Sequence, residues 1–130
     1  MTFEIDEDIA ALETDIADEF AWRIAAIGAQ VAIADFGLRH GQPCYLARIP
    51  ARVMKIDPWL IETMPSDEQS FTTVQRIVGF ARALGKRTVA EGVDSRVWLP
   101  VLRSAGVDFA QGRLGQNSSK SVDPSRDFST

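Results

Sequence analysis

The sequence predicts an α/β fold with about five parallel strands and flanking helices. Short apolar runs that favour strands alternate with longer runs whose apolar residues recur at helical spacing. Helical runs between successive strands imply that those strands lie parallel in one sheet. The 130 residues fit one domain but are too few for a complete (β/α)8 barrel, which needs roughly 200 or more.

The predicted strands and helices follow from local patterns. An apolar run such as Val31–Ala34 favours a strand buried on both faces, and Gly85 and Gly106 favour helix ends. The predicted strands are 3–6, 31–34, 52–56, 87–90 and 107–110. The predicted helices are 9–27, a short one within 43–49, one from the turn at 65–67 to Gly85, and 95–104.

Composition narrows the class of protein. Hydrophobic residues make up 45% and charged residues 25%, which excludes a wholly disordered chain, and no apolar run is long enough to span a membrane. The net charge of −4 disfavours binding to a nucleic acid polymer or an acidic membrane surface. A lone cysteine, Cys44, cannot form an internal disulfide, so we expect a cytoplasmic protein, with Cys44 in the core.

Polar residues stand at the carboxyl ends of the predicted strands. The carboxyl edge of a parallel sheet is where α/β proteins bind ligands, which makes these residues candidates for a functional site. The alternative is that strands end in polar residues because the chain leaves the core there. The residues are Glu4, Asp35, Lys55 with Asp57, Glu91 and Gln111.

Five short motifs occur in order: FEIDE at 3–7, ADFG at 34–37, MKID at 54–57, VAEGVD at 89–94 and QG at 111–112. In sequence and spacing they resemble those of the EAL domain family, whose members are bacterial (β/α)8-barrel phosphodiesterases that open cyclic di-GMP to the linear dinucleotide. The resemblance implies a partial TIM-like barrel: a truncated EAL-like domain at 1–114, matching the last five β/α units, and a polar tail at 115–130.

The resemblance also implies roles for individual residues. Hydrolysis of a phosphodiester needs an activated water and neutralised phosphoryl oxygens, which two Mg²⁺ or Mn²⁺ ions held by carboxylates supply. Glu4 and Asp35 would be metal ligands, Lys55 and Glu91 catalytic. The ligand-binding set would be Gln111, Asp57, Asp94 and Glu7, of which Glu7 and Asp94 would steady the loop after ADFG.

The chain also departs from the family pattern. Ala34 replaces the first aspartate of the Asp-Asp pair, and residues 38–42 differ from the family's Thr-Gly-Tyr-Ser-Ser loop. The Glu-Ala-Leu segment and an asparagine ligand of the family are absent from the sequence. We therefore expect a degenerate domain that binds the metal ions poorly and gives no significant hydrolysis alone.

Four hypotheses remain open. The first is a noncatalytic interaction module that forms a homodimer or binds a protein partner. The second is residual, weak binding of cyclic di-GMP. The third is a phosphodiesterase completed by another chain or an upstream segment, and the fourth is a degraded gene product. Against each stands the simpler interpretation that Lys55 and Asp57 form a salt-bridged strand end and that Glu91 and Gln111 are relics of ancestry.

Overall fold

Six strands form one sheet in the order in which they occur along the chain. The computed structural model describes residues 1–93 and 98–111, together with the backbone of 112 and 120–122. Neighbours among the first five strands are parallel, and the last strand is antiparallel to the fifth. The strands are β1 (Thr2–Asp6), β2 (Gln30–Phe36), β3 (Val53–Ile56), β4 (Arg87–Glu91), β5 (Phe109–Gly112) and β6 (Lys120–Val122).

The five predicted parallel strands are confirmed, with bounds that shift by one or two residues. The sheet does not close among the described strands, as expected for part of a barrel. The short β6 falls in the segment predicted as a polar tail, and the sequence pattern did not predict it. A strand of three residues is too short to show the alternation on which such a prediction depends.

Helices lie between the parallel strands, as predicted. They are α1 (Glu7–Leu12), α2 (Thr14–Ala26), α3 (Pro58–Thr63), α4 (Glu68–Ala83) and α5 (Leu99–Ala105). The predicted short helix within 43–49 is a 3-10 helix, Cys44–Ala47. The predicted helix at 95–104 corresponds to α5, and its first residues lie outside the described ranges. No helix in the described ranges combines the length and apolarity needed to cross a bilayer.

The helix predicted over 9–27 is two helices. The chain breaks at Glu13, whose backbone angles (φ −127°, ψ 54°) are not helical. The small residues Ala17 and Ala21 are buried on α2, whereas Leu12 and Ile16 of the apolar stripe are 71% and 62% exposed. Hydrophobic spacing identified the helical run, but the large apolar side chains mostly face outward.

Two aspartates begin the next helices by capping. Asp57 accepts a hydrogen bond from the Trp59 amide at the start of α3, and Asp67 accepts one from Gln69 at the start of α4. Such caps satisfy amides that have no partner within the helix. The sequence pattern predicted the start of α4 from the turn at 65–67 but did not predict α3.

The core lies between the helices and one face of the sheet. Ile33, Met54 and Ile56 from the strands are fully buried, and Ile77 and Leu102 pack in the same cluster from α4 and α5. The prediction that Cys44 belongs to the core is wrong, because this residue is exposed. An apolar neighbourhood in sequence does not bury a side chain at the exposed start of a 3-10 helix.

Candidate functional site

Parallel pairing brings the candidate residues to one edge and one face of the sheet. Glu4 pairs with Ala32, Ala32 with Val53, and Glu91 with Gln111. Because side chains alternate along a strand, this register places four of the candidates on the same face. We call it the inner face: the sheet face that carries Glu4, Lys55, Glu91 and Gln111.

Lys55 lies between Glu4 and Glu91 on the inner face, and we call these three residues the carboxylate cluster. Its Nζ lies 2.5 Å from Oε2 of Glu4 and 2.8 Å from Oε1 of Glu91, and its side chain is only 14% exposed. Partial burial alone would lower the pKa of Lys55, but the hydrogen bonds to the two glutamates outweigh it, so the pKa of Lys55 is raised. The ammonium is therefore charged at neutral pH and shared by both carboxylates.

Asp35 is exposed at the carboxyl edge in an unusual conformation. Its φ of 52° lies in the left-handed region, and the pairing of β2 with β3 is irregular between Ile33 and Phe36. Desolvation, together with the nearby carboxylates of Asp6 and Asp57, raises the pKa of Asp35. The preceding Ala34 is 9% exposed and pairs with Asp6.

Glu7 holds the loop that follows ADFG. Its side chain is 1% exposed, and its two carboxylate oxygens accept hydrogen bonds from the backbone amides of Gly37 (2.8 Å) and Arg39 (2.9 Å). A buried carboxylate is costly unless it is hydrogen-bonded, and these amides meet that need. Glu7 thus contacts the loop named in the sequence hypothesis; its assignment as a ligand-binding residue remains a prediction. Asp94, assigned to the same loop, lies outside the described residues.

Arg39 and His40 bind acidic residues around this loop, and the sequence reasoning missed Arg39. Its guanidinium lies 3.0 Å from Asp57 and 3.4 Å from Glu7, while Nε2 of His40 lies 2.6 Å from Asp8. Partial burial alone would lower the pKa of Arg39, but Glu7 and Asp8 raise it overall. The one sequence feature that could have drawn attention to Arg39 is that residues 38–42 differ from the family loop.

Asp57 and Gln111 have structural contacts at the same edge. Oδ1 of Asp57 caps α3 and Oδ2 binds Arg39, so both carboxylate oxygens are engaged. The backbone oxygen of Gln111 accepts a hydrogen bond from the amide of Val93, which ties the chain after β4 to β5. The roles of these two residues in ligand binding remain predictions.

The residues present do not fit a two-metal centre. Glu4 and Glu91 already bind the Lys55 ammonium, and Ala34 offers a methyl group. Within the described ranges, no three Asp, Glu, His or Cys side chains form a group able to hold a metal ion. The cluster instead pairs carboxylates with cations supplied by the protein, Lys55 and Arg39.

A sequence model of the EAL domain matches residues 1–117, which is most of the chain. The chain belongs to the EAL domain family. EAL domains are related to cyclic di-GMP phosphodiesterases. Two relatives illustrate the degree of sequence identity. An uncharacterized protein of Azorhizobium caulinodans is 38% identical over 86% of this chain. The bifunctional diguanylate cyclase/cyclic di-GMP phosphodiesterase MucR of Pseudomonas aeruginosa is 31% identical over 88% of it.

Solved EAL domains share the fold. The MucR phosphodiesterase in complex with cyclic di-GMP superposes with a TM-score of 0.80 and 30% identity, covering 90% of this chain. The EAL domain of DcpA from Mycobacterium smegmatis gives a TM-score of 0.74 and 26% identity over 95% of this chain. The chain spans 48% and 54% of those two structures, and 15% and 17% of the two relatives. The open sheet therefore corresponds to part of an EAL barrel.

Proposed function

We propose that this EAL-type domain does not hydrolyse cyclic di-GMP by itself and acts in signalling through contact with another protein segment. One observation supports this most directly. The Lys55 ammonium binds both Glu4 and Glu91, while the neighbouring position 34 carries a methyl group. Glu4, a metal ligand by resemblance, and the catalytic candidate Glu91 are thus both paired with a cation of the protein itself.

The chemistry of phosphodiester cleavage explains why this matters. A metal ion lowers the pKa of a bound water and neutralises charge on the phosphoryl oxygens. An ammonium can supply charge for the second task, but it does not generate a hydroxide. What Lys55 and Gln111 could still do is bind and orient a phosphate-bearing ligand, which is the second, noncatalytic candidate function.

Contact with another protein segment is supported by the surface beside β1. Among the described strands, β1 pairs on one side only, so its outer backbone groups are available to another strand. Large apolar side chains are exposed on the adjoining helices. They are Ile9 (48%), Leu12 (71%), Ile16 (62%) and Phe20 (39%). A second copy, or a segment that supplies the other barrel units, would cover this surface.

A turnover assay tests the catalytic part of the proposal. The purified chain is incubated with cyclic di-GMP and Mn²⁺ or Mg²⁺, and the linear dinucleotide is measured by chromatography. We expect no turnover above that of a Glu91→Gln variant. Turnover that Glu91→Gln abolishes would contradict the proposal and would support a phosphodiesterase, either alone or completed by an added segment.

Calorimetry with cyclic di-GMP tests the second candidate. The ligand that accompanies the solved MucR structure supports it, together with the retained Lys55 and Gln111. We expect weak binding that Gln111→Ala reduces, with the exposed Gln69→Ala on α4 as a matched control. Absence of heat at high micromolar ligand would leave protein contact as the only activity proposed.

A further inference from the structure

A pocket of about 290 Å³ lies at the opposite end of the sheet from the carboxylate cluster. It forms where α4 and α5 end and where β4 and β5 begin. Its lining includes three arginines: Arg82 in the last turn of α4, Arg87 at the first position of β4, and Arg103 in the last turn of α5. Residues 106–109 also line it, and we call it the basic pocket.

Arginines are the basic residues of this pocket. Among the described residues that line it, the charged groups are three guanidiniums and the carboxylate of Asp108. Oδ2 of Asp108 accepts hydrogen bonds from both the amide (2.9 Å) and the hydroxyl (3.1 Å) of Thr88, so this carboxylate is engaged in joining β4 to β5. The chain as a whole carries a net charge of −4, so a group of arginines in one pocket does not follow from the overall composition.

Part of the basic charge has a structural explanation. Arg82 donates one hydrogen bond to the backbone oxygen of Gly106 at the end of α5, and cations near helix carboxyl ends are favourable. A guanidinium has several N–H donors, however, and that bond uses one of them. Arg87 begins a strand, and no helix end accounts for its position in the pocket.

We propose that the basic pocket binds a small oxyanion of the phosphate class. Guanidinium groups match the geometry of phosphate oxygens and donate paired, charge-assisted hydrogen bonds to them. The volume lies at the lower end of the usual range for ligand pockets, which suits inorganic phosphate, pyrophosphate or a phosphate group on a small molecule. The site is independent of the function proposed above, because it lies at the other end of the strands.

Calorimetry with inorganic pyrophosphate, in low-salt buffer without divalent cations, tests this proposal. We expect saturable binding by the full chain and a loss of affinity of about tenfold in Arg87→Gln, because the variant loses a charge-assisted hydrogen bond to the anion. The double variant Arg82→Gln/Arg87→Gln should lose more. The matched control is Arg23→Gln on α2, which removes the same charge from an exposed position elsewhere and should bind as the unaltered chain does.

Two results would overturn the proposal. One is no saturable binding of pyrophosphate by the full chain at millimolar concentration. The other is equal affinity in Arg87→Gln, in the double variant and in the control, which would mean that the anion binds elsewhere. Circular dichroism checks that each variant is folded. If the double variant is not folded, the pyrophosphate affinity of Arg87→Gln relative to that of Arg23→Gln decides between the outcomes.

Discussion

Lys55 on β3 reaches Glu4 on β1, and the two β2 residues beside this path have small side chains. Ala32 and Ala34 of β2 share the inner face with the two partners, and both are buried. Their methyl groups leave space for the lysine chain to pass over β2. Ala34 therefore has two effects compared with the aspartate of the family pattern. It lacks a carboxylate, and its small side chain leaves room for the ion pair between Lys55 and Glu4.

Replacing Lys55 with methionine should destabilise the fold. The change leaves Glu4 and Glu91 without their shared cation, and we expect a loss of about 1–2 kcal/mol in the free energy of unfolding, limited by the partial exposure of the glutamates. Urea denaturation measures it. In the double variant Lys55→Met/Glu4→Gln the loss should be smaller than the sum of the single changes, and strict additivity would refute the pairing.

Asp35 gives a prediction that depends on pH. The folded state raises the pKa of Asp35 by desolvation and by the charges of Asp6 and Asp57, so its ionised form is disfavoured by folding. Asp35→Asn should therefore raise stability at pH 7, by at most a few tenths of a kcal/mol because the residue is solvent-screened. Asparagine also tolerates the left-handed backbone at this position.

The gain in Asp35→Asn should disappear in acid. Above its raised folded-state pKa, Asp35 is ionised and destabilising; below its ordinary pKa of about 4, it is protonated in both folded and unfolded states. Thermal unfolding of both proteins at pH 7 and near pH 3 measures this. An equal gain at both pH values would point to the backbone preference of asparagine and not to charge.

The sequence predicted which residues stand at the carboxyl edge but not how they pair. Strand ends follow from apolar runs, so Glu4, Lys55 and Glu91 could be placed there in advance. Their mutual contacts depend on the strand register, which decides whether they lie on the same face of the sheet, and on the size of the side chains between them. Local sequence patterns do not contain this information. Arg39 was missed for the same reason, since its partners Glu7 and Asp57 are distant in sequence.

At the scale of elements, helix ends were predicted better than helix continuity. Gly85 and Gly106 both follow helices with positive φ, as expected for glycines at these positions. The break at Glu13 between α1 and α2 has no glycine or proline to mark it, and apolar spacing continues across it. A periodic pattern therefore identified the helical segment, while tertiary packing determined that it forms two helices.

These two glycines allow a matched test of helix termination. A Cβ at Gly85 would have no heavy atom within 4 Å, whereas one at Gly106 would lie 3.2 Å from Cγ1 of Val78. Gly85→Ala should cost about 1–2 kcal/mol from the left-handed backbone alone. Gly106→Ala should cost more, by on the order of 1 kcal/mol, because Val78 must also move. Equal losses in chemical denaturation would contradict the contact.

At the scale of the whole molecule, the apolar surface on α1 and α2 is the clearest sign of a further contact. Ile16 and Phe20 are one helical turn apart on α2, while Trp22 lies on a different side of the same helix. Ile16 and Trp22 are about equally exposed, at 62% and 60%. Substitutions at Ile16 and Trp22 therefore compare two sides of α2 at residues of about equal exposure.

Ile16→Glu should weaken self-association and Trp22→Glu should not. The reason is that Ile16 belongs to the apolar surface beside the unpaired side of β1, where a second copy is proposed to bind. Sedimentation velocity over a range of protein concentrations measures the oligomeric state of each variant. A monomer at high concentration for the unaltered chain would exclude the homodimer, and an equal effect of both substitutions would exclude this face.

The sheet also ends differently on its two sides, which limits how copies could assemble. Beyond β5 the strand β6 runs antiparallel and has only three residues, whereas β1 has five and, among the described strands, pairs on one side only. Two copies joined through β1 would bury that edge in each copy, and β6 would be the remaining edge strand among those described. Because both copies use the same edge, this contact joins two copies and does not itself extend further.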